Sequence, residues 1–170
     1  MTLHTLTAAL WLPQHRDVVF SFFADALNLE AITPPWLRFA LVTPAPIAMQ
    51  TGTLIDYRLR LHGLPLRWQS EITLWDPPFC FVDEQRRGPY RRWLHMHTFE
   101  EKAGGTLCRD LVEYAVPGGR FIHWLIVRRD VERIFAYRQK FLRGLFPAGF
   151  DSRPHRSTRA DMLPSTNDSP

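Results

Sequence analysis

From Thr53 to Leu61 apolar and polar side chains alternate. Ile55, Tyr57, Leu59 and Leu61 fall on one face, and Asp56, Arg58 and Arg60 on the other, the period of a half-buried strand. His62-Gly63-Leu64-Pro65 reads as a hairpin turn. The returning strand, Leu66–Trp75, puts Trp68, Ser70, Ile72 and Leu74 on one face. Further strands are predicted over Phe79–Arg86, Arg92–Glu101 and Thr106–Val116, separated by Asp76-Pro77-Pro78, Gly88-Pro89 and Gly104-Gly105. Upstream, Thr2–Trp11 alternates as a first strand until Pro13, which cannot donate to a ladder. Val18, Val19, Phe22, Phe23 and Ala26 then recur near 3.6, predicting a helix over Pro13–Ala26. A second short helix spans Leu27–Ile32 and stops at Thr33-Pro34-Pro35. Trp36–Val42 is expected as a short strand and Thr43–Gln50 as a loop.

After Pro117-Gly118-Gly119 the period changes. Phe121, Trp124, Leu125, Val131, Ile134, Phe135, Phe141, Leu142 and Leu145 predict one amphipathic helix over Arg120–Phe146, ended by Pro147. Residues 148–170 are polar and aperiodic and are expected to be a disordered tail, which leaves 1–147 as the one folded domain. The fold class is α+β: a curved antiparallel sheet of about six to seven strands, with two short helices after the first strand and a long C-terminal helix. A sheet apolar on one face must cover that face, and only the C-terminal helix is long enough to do so. A curved sheet gripping a helix leaves space between them, hence the expectation of a cavity.

Composition narrows the function classes. The chain has 170 residues, 45% hydrophobic and 22% charged, an ordinary soluble composition. Aromatics reach 13%, and large rings both fill cores and line pockets. No apolar run is long enough to span a membrane. No secretory leader is expected from the opening residues, and Cys80 and Cys108 lack C-x-x-C spacing. A cytoplasmic setting with free thiols is therefore expected. The net charge of +4 reads as a solvated surface; no nucleic-acid partner is expected, and membrane-surface contact ranks below a soluble role. Oligomeric state is not legible.

The candidate chemistry lies on three neighbouring strands. Trp93, His95, His97 and Phe99 share one face; Phe79, Phe81, Asp83 and Gln85 share another; and Thr106, Cys108, Asp110, Val112 and Tyr114 share a third. If all three point inward, Asp83, His95, His97 and Asp110 meet in one half-buried place, where carboxylates need partners. Three readings stay open: a structural polar network, a ligand-orienting cluster in an apolar pocket, or a metal site. No cysteine or third histidine joins His95 and His97, so no metal and no cofactor is assigned. His95, His97 and Asp110 are the candidates for acid–base work. Tyr57, Trp68, Trp93, Phe99 and Tyr114 stand as cavity walls or as packed core. Trp36 is a candidate for the pocket mouth. The hairpin Gly88-Pro89-Tyr90, flanked by Arg86, Arg87, Arg91 and Arg92, is a candidate anion-contacting rim.

The order of elements over about residues 2–147 resembles the START-like, or SRPBCC, helix-grip superfamily. Three stretches look like a bacterial subgroup of ligand-binding SRPBCC, cyclase/dehydrase-like proteins: Gly52-Thr-Leu-Ile-Asp-Tyr57, the run from Phe81 to Phe99, and Gly105-Thr-Leu-Cys-Arg-Asp-Leu-Val-Glu-Tyr114 followed by Pro117. That superfamily includes lipid carriers, hormone receptors and aromatase/cyclases. The resemblance implies a pocket for an apolar small molecule such as a lipid, polyketide or aromatic metabolite. Two alternatives stand beside it: a polyketide cyclase/dehydratase-like enzyme using the His/Asp cluster, and an interaction protein using its basic surface.

Overall fold

The structure, a computed structural model, describes residues 2–147; the expected tail lies outside them. Strand β1 (His4–Leu12) is followed by helix α1 (Arg16–Ala24), a 3-10 turn (Ala26–Asn28), helix α2 (Leu29–Ile32) and a second 3-10 turn (Pro35–Leu37). Strands β2 (Ala40–Leu41), β3 (Leu54–Leu61), β4 (Leu64–Asp76), β5 (Cys80–Arg87), β6 (Arg92–Lys102) and β7 (Gly105–Ala115) come next. The C-terminal helix consists of α3 (Gly119–Ile122), a π turn (His123–Val127) and α4 (Arg128–Leu145). The seven strands form one antiparallel sheet in the order β1-β7-β6-β5-β4-β3-β2. Short turns make chain neighbours sheet neighbours; only β1 crosses over, to pair with β7.

The β3–β4 turn is tighter than expected. His62 and Gly63 alone form it, with φ of 51° and 81°, the two positive values a two-residue I′ hairpin demands. Leu64 and Pro65 already belong to β4. The short strand expected over Trp36–Val42 shrinks to Ala40–Leu41, because Pro34-Pro35 starts a 3-10 turn that takes up Trp36 and Leu37.

Two irregularities turn side chains away from the faces that periodicity assigns. The first is a register shift in β4: Ile72 opposes Asp83 but Leu74 opposes Val82, leaving Thr73 as an extra residue. A bulge reverses the alternation beyond it. Leu74, expected beside Ile72, is exposed, and Trp75 instead turns in against Phe20 and Phe81 at 5.4 and 5.6 Å. The second is the π turn, whose wider loop adds a residue and rotates the helix phase by about 100°. Val131, Phe135 and Leu142 on α4 are buried. Before the turn Phe121 is 67% exposed, and within it Trp124 and Leu125 are 65% and 47% exposed. The expected single stripe is therefore two stripes on different faces.

Smaller departures follow from neighbours. On α1, Val19 and Phe20 are buried while Val18 is exposed. Phe79 precedes β5 and lies outside the core, under the Arg16 guanidinium at 4.4 Å. Two apolar clusters hold the sheet to the helices. One joins Leu10, Leu12, Val19, Phe20, Ile55, Ile72, Phe81, Phe99 and Leu142. The other joins Val112, Tyr114, Val116, Val131 and Phe135. Each large buried side chain is worth about 1.5–3 kcal/mol in removal from water.

Candidate functional site

His95 and His97 lie two apart on β6, so the pleat turns both imidazoles to the helix side of the sheet. Register supplies their partners. Asp83 on β5 stands directly opposite His95, and Asp110 on β7 opposite His97. The four side chains expected to meet do so. Asp110 Oδ1 accepts from His95 Nε2 and from His97 Nδ1, each at 2.9 Å. Asp83 Oδ2 faces His95 Nδ1 and His97 Nε2, each at 3.5 Å. The two imidazole centroids are 3.8 Å apart. The network continues outward: the Ser70 hydroxyl donates to Asp83 at 3.4 Å and accepts from Trp68 Nε1 at 3.1 Å, with Tyr57 OH at 3.3 Å.

Electrostatics follow from this packing. Burial pushes both carboxyls up, but hydrogen bonds and charge from the histidines outweigh it, holding Asp83 below and Asp110 well below the usual carboxylate range. Burial and the charge of His97 lower His95. His97 also suffers burial, yet its bonds to Asp110 and Asp83 raise it. The cluster thus sets two carboxylates against two imidazoles, with the charged form favoured at His97 and disfavoured at His95, and the two rings titrate as one coupled unit. Asp83, His95 and His97 bring three ligand atoms within 4.8 Å of one another and are the residues a metal ion would use; the distances of 2.9 Å to Asp110 are those of a hydrogen-bonded network.

A cavity of about 160 Å³ lies between the sheet and α4, far more than the ~10–15 Å³ that one water needs. Of the side chains singled out from sequence, Tyr57, Trp68, Asp83, Trp93, His95 and His97 line it. Asp110 is not among the lining residues; it supports the histidines from behind. Phe99 packs into the larger core cluster against Phe20 and Phe23. Tyr114 belongs to the smaller cluster, its hydroxyl 3.0 Å from His123 Nε2. Trp36 does not reach the cavity either: its ring packs edge-on against Tyr137 at 5.6 Å, and Leu37 and Phe39 take the wall positions. On the hairpin, Arg86 is engaged by Glu71 and Glu84, and Arg92 by Glu113.

Periodicity alone missed several lining residues. Tyr90 is drawn over the cavity because the Gln85 side chain bonds its backbone twice, Nε2 to the carbonyl at 2.7 Å and Oε1 to the N–H at 3.3 Å. A Cβ on Gly88 would stand 2.3 Å from Gln85 Oε1, so glycine makes that clasp possible. Tyr90, Trp68 and Trp93 then form one aromatic wall, with centroids 4.7–5.5 Å apart. The helix contributes Val131, Ile134, Phe135 and Arg138. Arg138 is the basic exception on that apolar stripe, a signal readable from the sequence by its i+7 spacing from Val131.

A curved antiparallel sheet holding a long C-terminal helix, with an apolar cavity between them, defines a helix-grip domain of the SRPBCC type. The chain belongs to the family described as polyketide cyclase / dehydrase and lipid transport, whose model matches residues 12–138. No curated protein matches the chain in sequence. Similar solved structures include protein Ms6760 from Mycobacterium smegmatis, at 19% identity over 83% of this chain and 89% of that one, TM-score 0.62. Ginseng major latex-like protein 151 from Panax ginseng follows at 11% identity, 85% and 97% coverage, TM-score 0.64. The Zhui aromatase/cyclase from Streptomyces sp. R1128 matches at 14% identity, 87% and 99% coverage, TM-score 0.60. Identities this low carry the fold alone. No helix among the described residues is long and apolar enough to cross a membrane.

Proposed function

We propose that this protein binds an apolar small molecule of the lipid, polyketide or aromatic class in the cavity between sheet and helix. The observation that carries this reading is the cavity lining itself: aromatic and aliphatic walls from β3–β6, α2 and α4, broken by a few convergent polar groups at Tyr57, Ser70, Asp83, His95, His97 and Arg138. Such a lining gains by burying apolar surface while the polar groups set orientation. A cytoplasmic setting belongs to the same reading, supported by the free thiols of Cys80 and Cys108. The test is native mass spectrometry of the purified protein, with denaturing extraction of anything released. An apolar molecule of defined mass is the expected result; an empty protein that also fails to take up a neutral fluorescent naphthylamine sinks the proposal.

A second reading, a cyclase/dehydratase-like enzyme, is favoured by one observation: Asp83, His95 and His97 border the cavity, and Asp110 sits behind them as a positioning residue. In that case His97 moves the proton. Incubation with a linear poly-β-keto thioester would then give a cyclised product, and His97→Gln would keep binding while losing turnover. Equal loss of folding and binding in His95→Gln and His97→Gln would instead mark the cluster as a structural network.

A further inference from the structure

Arg138 is a charged residue in a position built for an apolar one. Val131, Ile134, Phe135 and Arg138 are related by the i, i+3, i+4, i+7 spacing of one helix face, and all four face the cavity. Among the described residues, the other basic side chains bordering that space are the two histidines already held by carboxylates. Two Arg138 nitrogens, Nε and Nη1, are buried with no hydrogen-bond partner among the described residues. Among the described residues no carboxylate lies within ion-pair distance of it, and the Phe135 ring centre stands 5.2 Å from the guanidinium carbon. Its charge nevertheless reaches the site, lowering Asp83 and opposing the rise of the Tyr57 phenol.

Buried polar groups are almost always bonded, and an unbonded one calls for a reason. A guanidinium is never neutral in a protein, so it cannot escape the cost by losing its proton. Asp83 acts on it only through space: no Asp83 oxygen lies within ion-pair distance of the guanidinium, and that carboxylate faces His95, His97 and Ser70 instead. The missing acceptor is therefore most simply supplied from the cavity. We propose that the ligand is an apolar molecule carrying an anionic oxygen group of the carboxylate class, and that the Arg138 guanidinium receives this group. The inference rests on the cavity-binding reading and adds to it the charge of the ligand and the residue that fixes its orientation. The rest of the ligand would lie along the aromatic wall of Trp68, Tyr90 and Trp93, and its head would point at α4.

Two fluorescent probes of nearly one shape test this on the full chain: neutral N-phenyl-1-naphthylamine and its anionic relative 1-anilinonaphthalene-8-sulfonate. In the wild type the two are expected to compete for one site. In Arg138→Met the sulfonate should bind about tenfold more weakly, the loss of one charge-assisted contact, while the neutral probe stays within about twofold. Arg138→Lys, which keeps the charge without the fork, should fall between. Far-ultraviolet circular dichroism and the retained neutral-probe binding check that each variant is folded. Equal effects on both probes, or sulfonate binding that the neutral probe does not displace, overturn the role of Arg138 and leave the cavity reading standing. Failure of both probes to bind the wild type overturns the cavity reading and this inference together.

Discussion

One carboxylate oxygen, Oδ1 of Asp110, accepts from two imidazoles, and this shared bond organises the buried cluster. Charge-assisted bonds of this kind are stronger than neutral ones, and removing one partner strands the other. Asp110→Asn is therefore expected to cost about 1.5–3 kcal/mol near neutral pH, measured as a lower urea midpoint. The pH dependence has a definite sign. Asp83 and Asp110 are lowered on folding, so their stabilisation is present above the usual carboxylate range and lost as pH falls through their folded values. The penalty of Asp110→Asn should accordingly shrink in acid. His97 is raised, so its contribution is present below about 6.5 and lost as pH rises through its folded value. His95 is lowered, so stability falls as pH drops below about 6.5. His97→Gln should therefore flatten the alkaline limb of the urea midpoint plotted against pH.

At the scale of elements, the π turn decides which half of the C-terminal helix belongs to the core. A stacked pair, His4 on His123 at 3.4 Å, and the contact of His123 with Tyr114 hold that turn against β1 and β7. Phe135 lies beyond it in the buried stripe, and Trp124 lies within it on the exposed face. Phe135→Ala is expected to cost about 3–5 kcal/mol, whereas Trp124→Glu should change stability by no more than about 0.5 kcal/mol. Thermal unfolding of the two variants checks the assignment; a large loss in Trp124→Glu would mean that the helix keeps one phase throughout. The bulge at Thr73 works on the same principle in the sheet, bringing Trp75 inward beside Phe81.

For the molecule as a whole, the cavity is the place where folding stops short of close packing. Interiors are normally filled to crystal density, and an apolar void forfeits dispersion contacts on its lining. Ile134 faces that void from α4. Ile134→Phe is expected to keep or raise the melting temperature while abolishing uptake of N-phenyl-1-naphthylamine. In the wild type, a saturating amount of the same probe should raise the melting temperature by mass action; in the filled variant it should not. Destabilisation by the larger side chain would show instead that Ile134 already sits in a filled core.

Local geometry explains what was legible in the sequence. Period-two alternation, proline and glycine turns, and the change to a 3.6 period placed the long strands and the C-terminal helix to within a few residues, because each depends on neighbours a turn or a pleat away. The same pleat put Asp83, His95, His97 and Asp110 on inward faces, and meander connectivity made their strands adjacent. Whether a ring lines the cavity or packs the core depends instead on how far apart two elements stand. Tyr114 and Phe99, which share inward faces with the cluster, went to the core, and Tyr90 and Phe39 went to the cavity. The bulge and the π turn each insert a residue that no periodicity announces, so Leu74, Trp124 and Phe121 turned outward. Arg138 was readable as a charge on an apolar stripe; its lack of a partner emerged only once sheet and helix were brought together, since pairing is a property of the space between elements and not of either one.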